Sequence, residues 1–404
     1  MHGCQVLREG SLQAKRPADL GSVCQEGLFD IGTVLSVALQ DTDRQLLVEL
    51  VELSHIYGSP DYVQAGGGNT SVKTDRVLYV KPSGVPLAAV TMDQLVAIDR
   101  AMLSKIYAMQ QDLPAAEGQA QVGRLIAEAV ISSGKGRPSV ETPLHDSLQW
   151  RFVVHTHPAL VNGMTCSIDG KVICARLFQD ALWMDYVDPG LALCTGLRIS
   201  VEGYQRIHGR QPSVIFLQNH GLVVGGQTPS QVHQIHAKVI DTLVSFYRAA
   251  GLSIRIDRQR PSQDVASSAA QMIRKAFGSD VAVEVAAGFA CPQGPLTPDH
   301  IVYARSYPLA SAPTPQAVLA YRRSFGFDPR IVTWDGLVCG VGKDQIQARA
   351  ALDLAADGAL VSQLAAAFGG VRYMTDQARR FIEGWEAEAY RLKVLQSSPD
   401  KGGC

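Results

Sequence analysis

Short strand-like runs separated by amphipathic helical stretches constrain this chain more than any other feature. LLVELVELSHIYG (46–58) has apolar residues at helical spacing and stops at Gly58, and VLYVKPSG (77–84) reads as a strand entering a turn. TMDQLVAID (91–99) opens on a Thr cap and predicts a short helix or helical turn, and GQAQVGRLIAEAVISSG (118–134) predicts a longer helix. RFVVH (151–155) predicts a strand, and SVIFLQNHGLVVGG (213–226) a hairpin folding back at Asn219 to Gly221. TPSQVHQIHAKVIDTLVSFYRAAG (228–251) is a long amphipathic helix between a Thr228 cap and a Gly251 stop. A polar stretch broken by Pro261 marks a boundary near 252–262, after which helix and strand patterns alternate to a final helix through FIEGWEAEAYRLKVL. Such alternation is the mark of an α/β fold. The expected organisation is a flexible tail over 1–30, a main domain over 31–252 and a smaller α/β domain over 253–404.

Composition narrows the function classes. A formal net charge of -1 offers no broad field for nucleic acid or an anionic membrane. No apolar run reaches the expected length of a membrane span, and the charged N-terminus lacks an apolar signal core. The eight cysteines are scattered without a C-x-x-C pair, which predicts reduced thiols and a cytoplasmic location.

Chemistry enters with FVVHTHPAL (152–160). On an extended segment His155 and His157 project to the same face, because side-chain direction repeats every two residues. An isolated H-x-H is more often decoration than a site. A third imidazole changes that balance: FLQNHGLVVGG places His220 in a tight turn after another apolar strand. Three neutral imidazoles with a fourth position open suit a catalytic zinc or a similar divalent ion. His55, His208, His233, His236 and His300 lack that setting, and a solvated helix face accounts for His233 and His236. Glu141, in RPSVETPLHDS, is a candidate fourth ligand or general base; the plain alternative is a helix N-terminal acid beside Pro143.

Three turns have the make-up of anion sites: AGGGNTSVK (65–73), KPSG (81–84) and PSVE (138–141). Glycine lets backbone N–H groups approach an anion, and each turn adds hydroxyl or amide donors. CGVGKD (339–344) has no Ser/Thr of a Walker loop and is read as a corner between strand and helix. Asp299 and His300 in LTPDH are read as structural in the same way.

The order GGGNTS, KPSG, PS-x-E, HTH, NHG over about residues 40–250 resembles the class II aldolase/adducin family. The resemblance implies a central β-sheet flanked by helices, with Zn2+ or another divalent metal on His155, His157 and His220. It further implies Glu141 as the catalytic acid/base, and Asn69, Ser83, Gly84 and Ser139 as the cradle of a substrate phosphate. Val140 stands where many members have a second serine, which removes one hydroxyl from that cradle. The wording ETPLHDSLQWRFVVHTHP, GPLTPDHIVY, CGVGKD and WEAEAYRLK is similar to the aldolase half of bifunctional rhamnulose-1-phosphate aldolase/dehydrogenase proteins. With residues ending at Cys404, the dehydrogenase activity of those proteins is expected to be absent.

The implied function is a lyase cleaving a ketose 1-phosphate, such as a rhamnulose or fuculose 1-phosphate, to dihydroxyacetone phosphate and a short aldehyde. Epimerases, dehydratases and decarboxylases that reuse the histidine trio are the enzymatic alternative, and an adducin-like binding module is the non-catalytic one. The family also implies a homo-oligomer, a tetramer, and a tyrosine as proton donor, for which Tyr186, Tyr303, Tyr373 and Tyr390 are candidates. Nucleic acid and membrane partners are not expected.

Overall fold

The computed structural model describes residues 31–109, 115–132, 136–278 and 280–384. The expected tail over 1–30 and the WEAEAYRLK stretch, with Tyr390, lie outside them. The described residues from Leu46 onward form one compact unit.

Helix α1 (Ile31–Tyr57) leads into strands β1 (Asn69–Lys73), β2 (Val77–Val80) and β3 (Val96–Asp99). Short α2 (Arg100–Leu103), α3 (Ala115–Glu128), β4 (Val130–Ser132) and α4 (Thr142–Ser147) follow. Next come β5 (Phe152–Thr156), α5 (Ala159–Thr165), α6 (Gly170–Leu177), β6 (Leu182–Met184) and α7 (Leu191–His208). The hairpin β7 (Val214–Leu217) and β8 (Gly221–Gly226) precedes α8 (Pro229–Ala249). Beyond it lie α9 (Gln263–Phe277), β9 (Ala282–Ala287), α10 (Pro298–Ala304) and α11 (Pro315–Phe325). The series closes with β10 (Ile331–Trp334), β11 (Leu337–Gly342), α12 (Gln345–Ala365) and α13 (Asp376–Glu383).

Eight strands form one sheet in the order β4-β3-β2-β1-β5-β8-β7-β6, every pairing antiparallel except β6 with β7. Its centre is apolar on both faces. Phe152, Val154, Phe216, Leu222 and Val224 share a core with Leu50, Tyr57, Val239 and Leu243 of α1 and α8. The alternate residues Val153, Ile215, Leu217 and Val223 pack with Leu144, Leu193, Leu197 and Val201 of α4 and α7. Period-two alternation between two helix layers explains why these strands read as continuous apolar runs. A second sheet, β10-β11-β9, carries α12 on one face.

Four expectations change, the first being GQAQVGRLIAEAVISSG, whose helix ends at Glu128 and whose Val130–Ser132 forms strand β4. TMDQLVAID is a single 3₁₀ turn, Met92–Gln94, closed by a Thr91–Gln94 capping box and followed by β3. The turn signal was read correctly, but Val96 and Ile98 alternate inward as in a strand and bury between β2 and α3. The expectation that no run is long and apolar enough for a membrane also fails by length and composition, since Gln345–Phe368 qualifies. That window is 61% buried, because α12 packs on α5, α10 and β11. His236 is not on a solvated face. It is 1% exposed, with its Nε2 3.2 Å from Thr156 Oγ1 and its ring beside Tyr57 and Tyr62.

The CGVGKD segment is a corner. Gly340 and Gly342 lie in β11, where an added Cβ would come within 2.2 Å of Ala348 O and 2.5 Å of Ala348 N. The glycines let α12 seat directly on the strand, and Asp344 caps that helix by accepting from Gln347 N.

Candidate metal centre

Three elements of the large sheet deliver the imidazoles. Strand β5 carries His155 at its end and His157 just beyond it, while Thr156 points to the opposite face toward α8. His220 sits in the β7–β8 connection, where Asn219 adopts φ 52 and His220 N donates to Leu217 O at 3.1 Å. Asparagine tolerates that left-handed conformation better than most side chains. Its own amide donates to Leu296 O and Arg372 O at 2.9 and 2.8 Å, which clamps the turn.

The three Nε2 atoms converge. His155 Nε2 lies 3.0 Å from His157 Nε2 and 3.3 Å from His220 Nε2. Nitrogens held about 2.0–2.1 Å from a tetrahedral zinc stand about 3.3–3.4 Å apart, so the spacing fits such an ion. Tautomer chemistry agrees. His155 Nδ1 is 3.0 Å from Leu222 O, and His157 Nδ1 is 2.5 Å from Asp299 Oδ2. With Nδ1–H donating in both rings, the Nε2 lone pairs face one another, an arrangement that a cation relieves. The rings are 0%, 8% and 5% exposed for His155, His157 and His220. Burial, partly offset by Glu141, lowers the His155 pKa to about 4 and that of His220 to about 3. His155 and His220 are therefore neutral near pH 7, as metal ligation requires.

Glu141 completes the cluster. It occupies the N-cap of α4 without capping it, and at 2% exposure it turns its carboxylate inward. Oε1 lies 3.5 Å from His220 Nε2 and Oε2 3.9 Å from His155 Nε2. This placement decides against a solvated helix-end acid.

A directed hydrogen-bond chain orients Glu141. Asn69 Nδ2 donates to Oε2 at 2.7 Å, so Asn69 Oδ1 accepts from His145 Nε2, and Ser71 Oγ donates to His145 Nδ1 at 2.8 Å. Asn69, expected in the phosphate cradle, is thus engaged with the acid. His145 went unnoticed in the sequence, although its place one helical turn after Glu141 was a usable signal.

The turns that resemble a phosphate cradle come together. Pro82 and Pro138 form an isolated bridge, and Ser83 N donates to Arg137 O at 2.8 Å. KPSG and PSVE are therefore neighbours, and a Cβ at Gly66 would lie 3.4 Å from Gly84 O. Ser139 is buried and its Oγ accepts from Glu141 N at 3.2 Å. Gly68 adopts φ 68 with His155 O 2.8 Å from where its Cβ would be, so the glycine run passes tightly under β5.

Of the candidate tyrosines, Tyr303 on α10 is closest to these turns: a Cβ at Gly66 would meet its Oη at 2.9 Å. Tyr186 Oη is buried without a hydrogen-bond partner among the described residues, and Tyr373 is 40% exposed, with its Oη accepting from Gln293 N. The remaining histidines stay apart from the cluster. His55 pairs with Val90 O, His233 with Tyr57 Oη, and His300 with Thr297 Oγ1 and Asp357.

A sheet delivering three convergent imidazoles and a buried glutamate beside glycine and serine turns defines a class II aldolase type of domain. Residues 48–245 match the family described as the class II aldolase and adducin N-terminal domain. The uncharacterized oxidoreductase YuxG of Bacillus subtilis is 30% identical over 203 residues, which cover 48% of this chain and 28% of that protein. The chain thus matches less than a third of that relative's length. The L-fuculose phosphate aldolase of Methanococcus vannielii is 22% identical over 210 residues, covering 50% of this chain and 94% of that one. Among solved structures, the N-terminal class II aldolase domain of a Thermoplasma acidophilum protein is 26% identical. It covers 49% of this chain and 92% of that chain at a TM-score of 0.42.

Two buried histidines outside the candidate ligand set predict acid sensitivity. Burial lowers the pKa of His145 to about 3 and of His236 to about 4, from 6.5. In the unfolded chain both take up a proton as pH falls through 6.5, whereas in the folded chain they stay neutral down to those values. Unfolding therefore consumes protons in this window, and each group removes up to about 1.4 kcal/mol of stability per pH unit. The urea midpoint of the metal-free protein is expected to fall between pH 7 and pH 5. An unchanged midpoint would mean that these rings are charged or exposed.

Proposed function

We propose that this protein is a divalent-metal-dependent aldolase that cleaves a ketose 1-phosphate to dihydroxyacetone phosphate and a short aldehyde. The observation that carries the reading is the convergence of His155, His157, His220 and Glu141 within hydrogen-bond range of one point. A divalent ion held by the three imidazoles, Zn2+ in our reading, supplies Lewis-acid stabilisation of the negative charge that develops on substrate oxygens. Glu141 holds the proton at the carbon that acts as nucleophile in the aldol direction. Asn69, tied to His145, keeps the carboxylate turned to that carbon. Ser83, Gly84 and Ser139 line the paired turns and bind the phosphate through hydroxyl and backbone N–H groups. Tyr303 is our choice as the group that exchanges a proton with the aldehyde oxygen, taking it from the C4 hydroxyl in cleavage and returning it in the aldol direction, because its phenol lies at the same turns.

Resemblance to the aldolase half of the rhamnulose-1-phosphate proteins supports a six-carbon deoxyketose phosphate as substrate and a homotetramer as the working form. An epimerase, dehydratase or decarboxylase would use the same ion. A screen of ketose 1-phosphates and their unphosphorylated counterparts, read by release of dihydroxyacetone phosphate or dihydroxyacetone, separates these reactions. Release from a ketose 1-phosphate is the expected outcome. Turnover without carbon–carbon cleavage would replace the aldolase reading, and cleavage of the free sugar alone would remove the phosphate from it.

A further inference from the structure

We propose that helix α10, which lies outside the residues matched to the family, is a working part of the metal centre, with Asp299 as the positioning carboxylate of His157. The proposal rests on the reading that the three histidines hold a divalent ion.

Asp299 Oδ2 lies 2.5 Å from His157 Nδ1, across 142 residues of chain. Both groups are buried, at 3% and 8% exposure. A first-turn acid is common at a helix N-terminus, where it ordinarily faces solvent and the helix dipole. This one faces the imidazole. Room for it comes from Gly67, where an added Cβ would stand 2.4 Å from Asp299 Oδ2 and 3.2 Å from His157 Nδ1. The helix itself is held firmly. Thr297 caps it by accepting from His300 N, every residue from Pro298 to Ala304 is buried, and His300 Nε2 reaches Asp357 Oδ2 of α12 at 3.2 Å.

The chemistry of the pair follows from its geometry. A carboxylate accepting from Nδ1–H fixes the tautomer that leaves Nε2 free as a donor, and it raises the basicity of that nitrogen. His155 has the neutral Leu222 carbonyl in the equivalent place, so His157 becomes a stronger donor than His155. Charge balance points the same way. Three neutral imidazoles with Glu141 and Asp299 carry two negative charges, which neutralise a buried divalent ion. Glu141 alone leaves a net positive charge out of water, which is costly. One turn further along α10, Tyr303 Oη approaches Gly66, so one helix reaches both the ligand and the neighbouring turns.

Asp299→Asn tests this, because it keeps the shape and an acceptor but removes the charge. Zn2+ affinity is measured by competition with a chromophoric chelator, and the cobalt-substituted proteins are compared by visible absorption. The variant is expected to bind Zn2+ about 10- to 100-fold more weakly and to show a shifted cobalt spectrum, with the urea midpoint of the metal-free form unchanged. Equal affinity and an unaltered spectrum, with metal-binding wild type, would overturn the role of Asp299 and leave the metal centre standing. Wild type that takes up no divalent ion after reconstitution would overturn both. A second measurement needs no variant: in wild type labelled with 15N-histidine and loaded with zinc, His157 should show a proton on Nδ1, shifted strongly downfield. Its absence overturns the proposal.

Discussion

Glu141→Gln is expected to lower the rate of ketose phosphate cleavage by about 10²- to 10⁴-fold, with one divalent ion still bound per chain. The side chain is 2% exposed and has no role in packing that glutamine could not fill. Its Oε2 accepts from Asn69 Nδ2, and the glutamine amide can satisfy that contact only with its oxygen there, which turns its NH2 toward His220. The variant therefore cannot exchange a proton with carbon, neither giving one to the enediolate in cleavage nor taking one in the aldol direction, while the three imidazoles stay in place. Turnover in single-turnover assays, with metal content measured in parallel, checks this. Full activity would sink the assignment of Glu141. Loss of metal together with activity would instead make Glu141 a ligand, because an NH2 group facing the ion repels it.

His220→Ala is expected to reduce bound metal to background and to abolish cleavage. His220 Nε2 is 3.3 Å from His155 Nε2, and the β7–β8 turn supplies no second donor to replace it. Two imidazoles on one strand cannot enclose an ion by themselves. The turn should survive, since its left-handed residue is Asn219 and its clamps run to Leu296 O and Arg372 O. Metal analysis and circular dichroism of the purified variant test both halves. Retained stoichiometric metal would show that the site is not built on this histidine.

Most of the cluster could be read in advance because its rules are local. His155 and His157 share a face by strand periodicity, and the N-H-G turn between two apolar runs predicted both the hairpin and its exposed-to-site histidine. The same local logic handled Thr228, which caps α8, and the corner at CGVGKD. It failed where packing outweighed pattern. His233 and His236 lie three residues apart on α8 and both meet Tyr57, yet only His236 also meets Tyr62 and Thr156 and is fully buried. Asp299 in LTPDH reads as merely structural because nothing within several residues of it hints at His157.

The sequence alone determined which groups are available and which way they face on their own element: three imidazoles, one glutamate after a Pro-Ser turn, and glycines where the chain must pass close. Only the tertiary structure decided which carboxylates meet which rings. That choice depends on how α12 and β11 seat α10 against Gly67, and such contacts are selected by burial and close packing across the chain rather than by the periodicity of any one segment.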